Sequence, residues 1–332
     1  MLLFFVFEFS PSTRFKVIRA RTLTFFFRIL PDHLDVNLSP MNPSEYELLL
    51  AVLSIETYST QEDQLIAYLL EFFAQHDIKA WRDDMGNVYA EKGQPKSHQK
   101  YPLFVAHLDT VHKIHGRGIV PKKMMLPNFA GKLKPALKGF DLQGFPVGMG
   151  ADCKLGVALC LILFLREPIL KGFFPVQEEL GAKGAAHFDP DFMQDVGYGI
   201  EFDSPSNIAS LVLGNTLLFN SEDDKGLGKI WTEILMSFSE KKGTSFSLAR
   251  HPHTDIIKLR HLFSCCNVPV GYYLYHSRSE YLIEEEACWA LEMGEALIAQ
   301  LGFRHYLDDP HPSPQRLMTQ FELHMMEING EL

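Results

Sequence analysis

The sequence predicts an α/β protein with a mixed, largely parallel central sheet and helices on both faces. Three observations carry that expectation. Strand-length apolar runs alternate with longer helical stretches from Ser44 to Leu301, the order that crossover connections between parallel strands produce. Runs such as Leu103-Phe-Val-Ala106 read as buried strands. At 332 residues with 46% hydrophobic side chains, the chain is also long enough for a sizeable core.

Taken in order, SEYELLLAVLSIETYSTQEDQLIAYLLEFFAQHDI (44–78) is helical with a break at Thr57-Tyr58. Ser59-Thr60-Gln61-Glu62 reads as a capping box ahead of Leu65, Ile66, Leu69, Leu70 and Phe73. β-like runs follow at Lys79–Trp81, Asn87–Ala90 and Leu103–Ala106. Downstream come a helix around Leu155–Leu165, strands at Phe173–Val176 and Tyr198–Phe202, and a helix around Ile230–Phe238. A strand at Val270–Tyr275 and a long helix from about Ile283 to Leu301 close the pattern. Residues 1–40 are expected to be a poorly structured extension or an over-long start, 41–308 a single domain, and 309–332, rich in Pro, Gln, Met and Glu, a loosely held tail.

Bulk properties exclude several classes. A formal net charge of -10, with no dense Lys/Arg block, disfavours nucleic acid as a partner. The apolar clusters of the first thirty residues are interrupted by Arg and Lys and fall short of the roughly 20 residues of a membrane span, so no membrane association is expected. Five cysteines without CxxC spacing point to a reducing, cytoplasmic setting.

The predicted strand ends carry the chemistry. Leu103–Ala106 runs into His107-Leu-Asp109, Phe173–Val176 into Gln177-Glu178-Glu179, Tyr198–Phe202 into Asp203, and Val270–Tyr275 into His276. In open α/β sheets the ligand crevice lies beyond the carboxyl ends of the strands, so these groups aim at one region. Gly150-Ala-Asp-Cys-Lys-Leu-Gly156 adds a glycine-bounded turn that places Asp152 just before a helix. Singly, each group has a bland reading: a histidine satisfied in the fold, or acids solvated in a loop. Together, two imidazoles and three carboxylates are what two zinc-like ions need if one carboxylate bridges and a water or hydroxide fills the gap. One of the paired glutamates would then hold metal while its neighbour takes a proton from that water.

The blocks VAHLDTV, GADCKLGVA, FPVQEELGAKGA, IEFDSP and GYYLYHSRSEYL resemble, in order, the signature blocks of the peptidase T, carboxypeptidase G and aminoacylase family of dinuclear metallohydrolases. The likeness extends over about residues 44–303. It implies a zinc-dependent exopeptidase-like catalytic domain. It also implies that His107 and Asp203 bind one metal, Glu179 and His276 the second, and Asp152 both. Asp109 would orient His107, as carboxylates beside metal-bound imidazoles do, Glu178 would be the general base, and Glu280 structural. The implied cofactors are two divalent ions roughly 3.5–4 Å apart, Zn2+ first, with Co2+ or Mn2+ also suited to such ligands.

Two departures qualify the match. Cys153 stands where GADDK members carry Asp and is read as a packed residue rather than a ligand. Only Ser204–Tyr275 separate the last Asp from the last His, too little for the usual inserted lid. The expected function is therefore hydrolysis of peptide bonds in small peptides, aminopeptidase-like. The alternatives are an N-acyl amino acid amidohydrolase and a non-catalytic binding protein on the same scaffold.

Overall fold

The computed structural model describes residues 41–206, 215–219, 234, 237–238, 240, 246–249 and 254–306. The expectations for 1–40 and 309–332 lie outside these residues, as does most of the helix expected around 230–238. Two helices open the described chain, α1 (Pro43–Ser54) and α2 (Asp63–Gln75). Asn42 starts α1: its side chain accepts the Glu45 N–H at 3.0 Å, Glu45 Oε2 accepts the Asn42 N–H at 2.8 Å, and Pro43 fills the first turn. The capping box expected at Ser59–Glu62 does not form. Glu62 instead accepts the Thr60 N–H at 2.9 Å, and the Ser59 hydroxyl donates to the buried Asp109 carboxylate at 2.7 Å, a charged acceptor that outcompetes a backbone cap.

Strands β1 (Lys79–Arg82), β2 (Val88–Lys92) and β3 (Tyr101–Val105) come next, then a hairpin absent from the sequence reading, β4 (Val120–Pro127) and β5 (Leu133–Phe140). Helix α3 (Ala151–Arg166), β6 (Leu170–Phe174), a 3-10 turn at Glu178–Leu180, α4 (Pro190–Met193) and β7 (Val196–Ser204) follow. The chain continues through β8 (Asn215–Phe219), β9 (Phe246–Ala249), α5 (Ile256–Leu259), β10 (Cys265–Pro269), β11 (Tyr272–Tyr273), β12 (Tyr281–Ile283) and α6 (Glu284–Leu301). No helix among the described residues is long and apolar enough to cross a membrane.

The main sheet has the order β1-β2-β6-β3-β7-β10-β8-β9. Its centre, β6-β3-β7-β10, is parallel, as expected, with antiparallel pairs at β1-β2, β2-β6 and β10-β8. One face packs Phe104, Ile200 and Phe202 against apolar side chains of α1, α2, α3 and α6; the other packs Leu103, Val105 and Phe173 against Phe192 of α4 and Ile256 and Leu259 of α5. Helices therefore cover both faces. α3 is buried from Ala151 to Phe164 and lies hard against β7: a Cβ on Gly156 would come within 2.0 Å of the Phe202 carbonyl oxygen.

A second, antiparallel sheet has the order β11-β12-β5-β4. It corrects one expectation. Val270–Tyr275 is not a strand of the main sheet: β10 ends at Pro269, Gly271 turns the chain at φ +102°, and Tyr272–Tyr273 pair with β12 instead. His276 consequently sits in the β11–β12 connection and not at the carboxyl end of a main-sheet strand. Asp203 also lies within β7, which runs on to Ser204, rather than just past its end.

Candidate metal centre

β3 delivers His107 from the middle of the parallel sheet, and its imidazole is fully buried. Nδ1 lies 3.0 Å from the Asp109 carbonyl oxygen and 3.4 Å from Asp109 Oδ1. Both are acceptors, so Nδ1 carries a ring proton, and Nε2, turned to the opposite side among carboxylates, is the nitrogen that a cation would take. There it meets Asp152 Oδ1 at 3.2 Å, Asp203 Oδ1 at 3.3 Å and Glu178 Oε2 at 3.9 Å.

Asp109 does more than orient that ring. Its carboxylate accepts the backbone N–H groups of Glu178 (2.8 Å) and Glu179 (3.2 Å) together with the Ser59 hydroxyl. Burial alone would raise its pKa, but contacts with His107, Ser59 and the Glu178 N–H hold it below the usual range. The turn bearing the paired acids is thus tied to the same carboxylate as His107. Gln177 enters that turn at φ 57°, a left-handed conformation uncommon for a residue with a side chain.

The two glutamates part company in space. Glu179 Oε1 approaches His276 Nε2 at 3.0 Å, while Glu178 faces His107. His276 Nε2 also lies 3.2 Å from Asp152 Oδ2. Asp152 therefore sets one carboxylate oxygen against each imidazole. It can do so because Asp152 and Cys153 leave helical geometry (φ -83°, ψ 102° and φ -114°, ψ 23°) at the head of α3. Buried Glu280 holds this turn, accepting the Ala151 N–H at 3.1 Å and the Asp152 N–H at 3.4 Å.

The electrostatics are those of a cradle for cations. Burial, opposed by His107 and reinforced by the charges of Asp203, Asp255 and Asp152, pushes Glu178 up to about 11. Burial also raises Asp203 to about 7, against the pull of His107. His276 rises to about 10 through its contacts with Asp152 and Glu179. Without a cation these groups retain protons to limit repulsion. Asp203 Oδ1 is buried with no hydrogen bond among the described residues, although it lies 3.3 Å from His107 Nε2. A carboxylate oxygen without a hydrogen bond, facing an imidazole nitrogen, fits a divalent ion.

All the residues singled out in the sequence (His107, Asp109, Asp152, Glu178, Glu179, Asp203 and His276) come together here. Among the described residues, three groupings have ligand atoms within 4.8 Å of one another: Asp152, Glu179 and His276; His107, Cys153 and Asp203; and His107, Glu178 and Glu179. The Cys153 thiol, raised well above its ordinary pKa by burial, donates to the Phe202 carbonyl at 2.9 Å, which fits a packed residue better than a thiolate ligand. The sequence reading missed Glu201 and Asp255. Glu201 could have been found two positions before Asp203, on the same face of β7.

No protein-family model and no curated protein sequence matches the chain. Solved structures do match in fold. The aminopeptidase PepT of Bacillus cereus ATCC 10987 superposes with a TM-score of 0.57 at 15% identity, over 77% of this chain and 98% of that one. A tripeptidase of Staphylococcus aureus subsp. aureus Mu50 gives 0.57 at 12% identity, over 79% and 99%. An aminopeptidase of the archaeon Desulfurococcus kamchatkensis gives 0.53 at 17%, over 77% and 95%. At such identities the likeness is one of fold.

Proposed function

We propose that the chain is a dinuclear metal-dependent peptidase acting on small peptides in the manner of an aminopeptidase. One observation carries this reading: Asp152 places Oδ1 3.2 Å from His107 Nε2 and Oδ2 3.2 Å from His276 Nε2, the placement of a carboxylate shared between two positions. His107 and Asp203 would hold one ion, Glu179 and His276 the other, and Asp152 both. When bound, the two ions supply Lewis acidity, lowering the pKa of water toward neutrality and polarising the scissile carbonyl.

The chain's own groups supply the rest. Glu178 is the carboxylate whose side chain is not engaged by His276, and its backbone is fixed by Asp109. It takes a proton from the attacking water and returns it to the leaving amine. Asp109 keeps the His107 ring in the tautomer that offers Nε2 inward. The fold shared with structures of two aminopeptidases and a tripeptidase supports peptide over other amide substrates. The test is metal analysis of purified protein together with rates on aminoacyl-anilides, dipeptides and N-acetyl amino acids. Two equivalents of metal and cleavage of substrates with a free amine are expected. Cleavage of acetylated substrates alone would replace the peptidase by a deacylase, and absence of metal after loading would remove the mechanism.

A further inference from the structure

Asp255 has no place in the ligand set above, yet it is fully buried, and neither of its carboxylate oxygens has a hydrogen-bond partner among the described residues. Its position is built with care. Glu201, buried on β7 opposite Val105 of β3, receives the Thr254 hydroxyl on Oε2 and the Asp255 N–H on Oε1 at 3.0 Å. Strand alternation puts Glu201 on the face of β7 that also bears Asp203, and Val105 on the face of β3 that leads to His107. The clamp therefore fixes Asp255 beside the buried half of the centre. The charges that reach it are those of His107 first, then Asp203, Asp109 and Lys258, and it acts in turn on Glu178. The side chain does not cap α5, although it stands at that helix's start.

A buried carboxylate without a partner is among the costliest groups a fold can retain unless a cation comes to it. We propose that Asp255 is a further carboxylate of the His107–Asp203 position, positioned by Glu201 and Thr254, which makes that position the tighter of the two for divalent cations. The inference rests on the dinuclear reading and adds an asymmetry to it. Asp152, Asp203 and Asp255 serve one ion, while Asp152 and Glu179 serve the other. The oxygen-richer position is also the one better suited to Mn2+.

The test compares wild type with the isosteric Asp255→Asn. Co2+ binding is followed by chelator competition and by the visible spectrum of the bound ion, and thermal unfolding is recorded with and without metal. Wild type should bind one tight and one weaker equivalent. Asp255→Asn should weaken the tight one by about 10- to 100-fold, shift its spectrum and leave the other unchanged. It should leave the melting temperature of the metal-free protein nearly unchanged, because burial already keeps the Asp255 carboxyl protonated there, and lower that of the loaded protein. A merely structural residue would lower both. Thr254→Val, which loosens the clamp and keeps the charge, should weaken the same equivalent to a smaller extent, and it decides the matter if Asp255→Asn does not fold. Equal affinities and spectra in wild type and variant would overturn the assignment of Asp255 alone. A wild type that binds no Co2+ would overturn the dinuclear reading with it.

Discussion

Asp109→Asn tests whether this carboxylate is the hub that joins His107 to the Glu178–Glu179 turn. Three donors converge on it: the Glu178 N–H on Oδ1 at 2.8 Å, and the Ser59 hydroxyl and Glu179 N–H on Oδ2 at 2.7 and 3.2 Å. Asparagine keeps one acceptor. With its carbonyl toward Glu178 and His107, the amide nitrogen faces Ser59, whose hydroxyl can turn round and accept, and the Glu179 N–H, which cannot. That orphaned donor costs about 1–3 kcal/mol. Exchanging a charged for a neutral acceptor at the surviving bonds costs roughly 1 kcal/mol more. Relief of charge repulsion offsets little of this, since Glu178, raised to about 11, already holds its proton without metal. The net loss is about 2–4 kcal/mol out of the ~5–15 kcal/mol available to a typical domain. Urea unfolding of the chelator-treated protein measures it, with Asp109→Ala, which orphans all three donors, expected to lose more. A loss below about 1 kcal/mol at unchanged m-value would refute the reasoning.

The remaining predictions concern the paired acids, a packing contact and an ion pair. Glu178→Gln should keep both metal equivalents while turnover falls by about 10²–10⁴-fold, whereas Glu179→Gln should lose one equivalent; elemental analysis beside a rate assay separates the two, and a fully active Glu178→Gln removes the general-base assignment. Gly156→Ala drives a methyl group to 2.0 Å from the Phe202 carbonyl, so α3 must back away from β7. It should cost about 3 kcal/mol or more by denaturant titration and weaken metal binding by separating Asp152 from Asp203. Arg166, which donates to Glu45 at 2.6 Å and Glu295 at 2.9 Å, should cost about 2–3 kcal/mol when replaced by Met, below the fully buried range because the pair is partly exposed. Burial raises the Glu45 pKa, but Arg166 and the Asn42 N–H outweigh it and the result is a lowered value. The ion pair's contribution is therefore full above the ordinary value of 4.5 and fades as pH falls through the lower folded value. The stability–pH curve of Arg166→Met should be flatter than that of wild type in this acid range.

What could be read from the sequence was whatever parallel-strand geometry dictates. His107, Asp109, Glu178 and Glu179 follow buried apolar runs, and such runs in a parallel sheet can deliver the next residues only to the carboxyl edge. Asp152 was legible for another reason, its glycine-bounded turn ahead of a long apolar helix. His276 joins the cluster, but from another element than the sequence suggested. Val270-Gly-Tyr-Tyr-Leu-Tyr275 is as apolar as a central strand, and only the left-handed Gly271 diverts it into the smaller sheet. The β4–β5 hairpin was missed because Lys122, Lys123, Lys132 and Lys134 and the bracketing prolines mask its period. Glu201 was legible only through its place two residues before Asp203, and Asp255 was invisible for a physical reason: a Thr-Asp before a short helix acquires meaning only once the fold has buried it.

The two imidazoles differ in their view of solvent. The His107 side chain is 1% exposed and that of His276 is 43% exposed, with the Asp152 carboxylate between them. Among the described residues the centre is therefore open to solvent on the side of His276 and closed on that of His107. On the proposed reading, exchange at Glu179 and His276 can proceed in contact with water, while exchange at His107 requires the surrounding chain to give way.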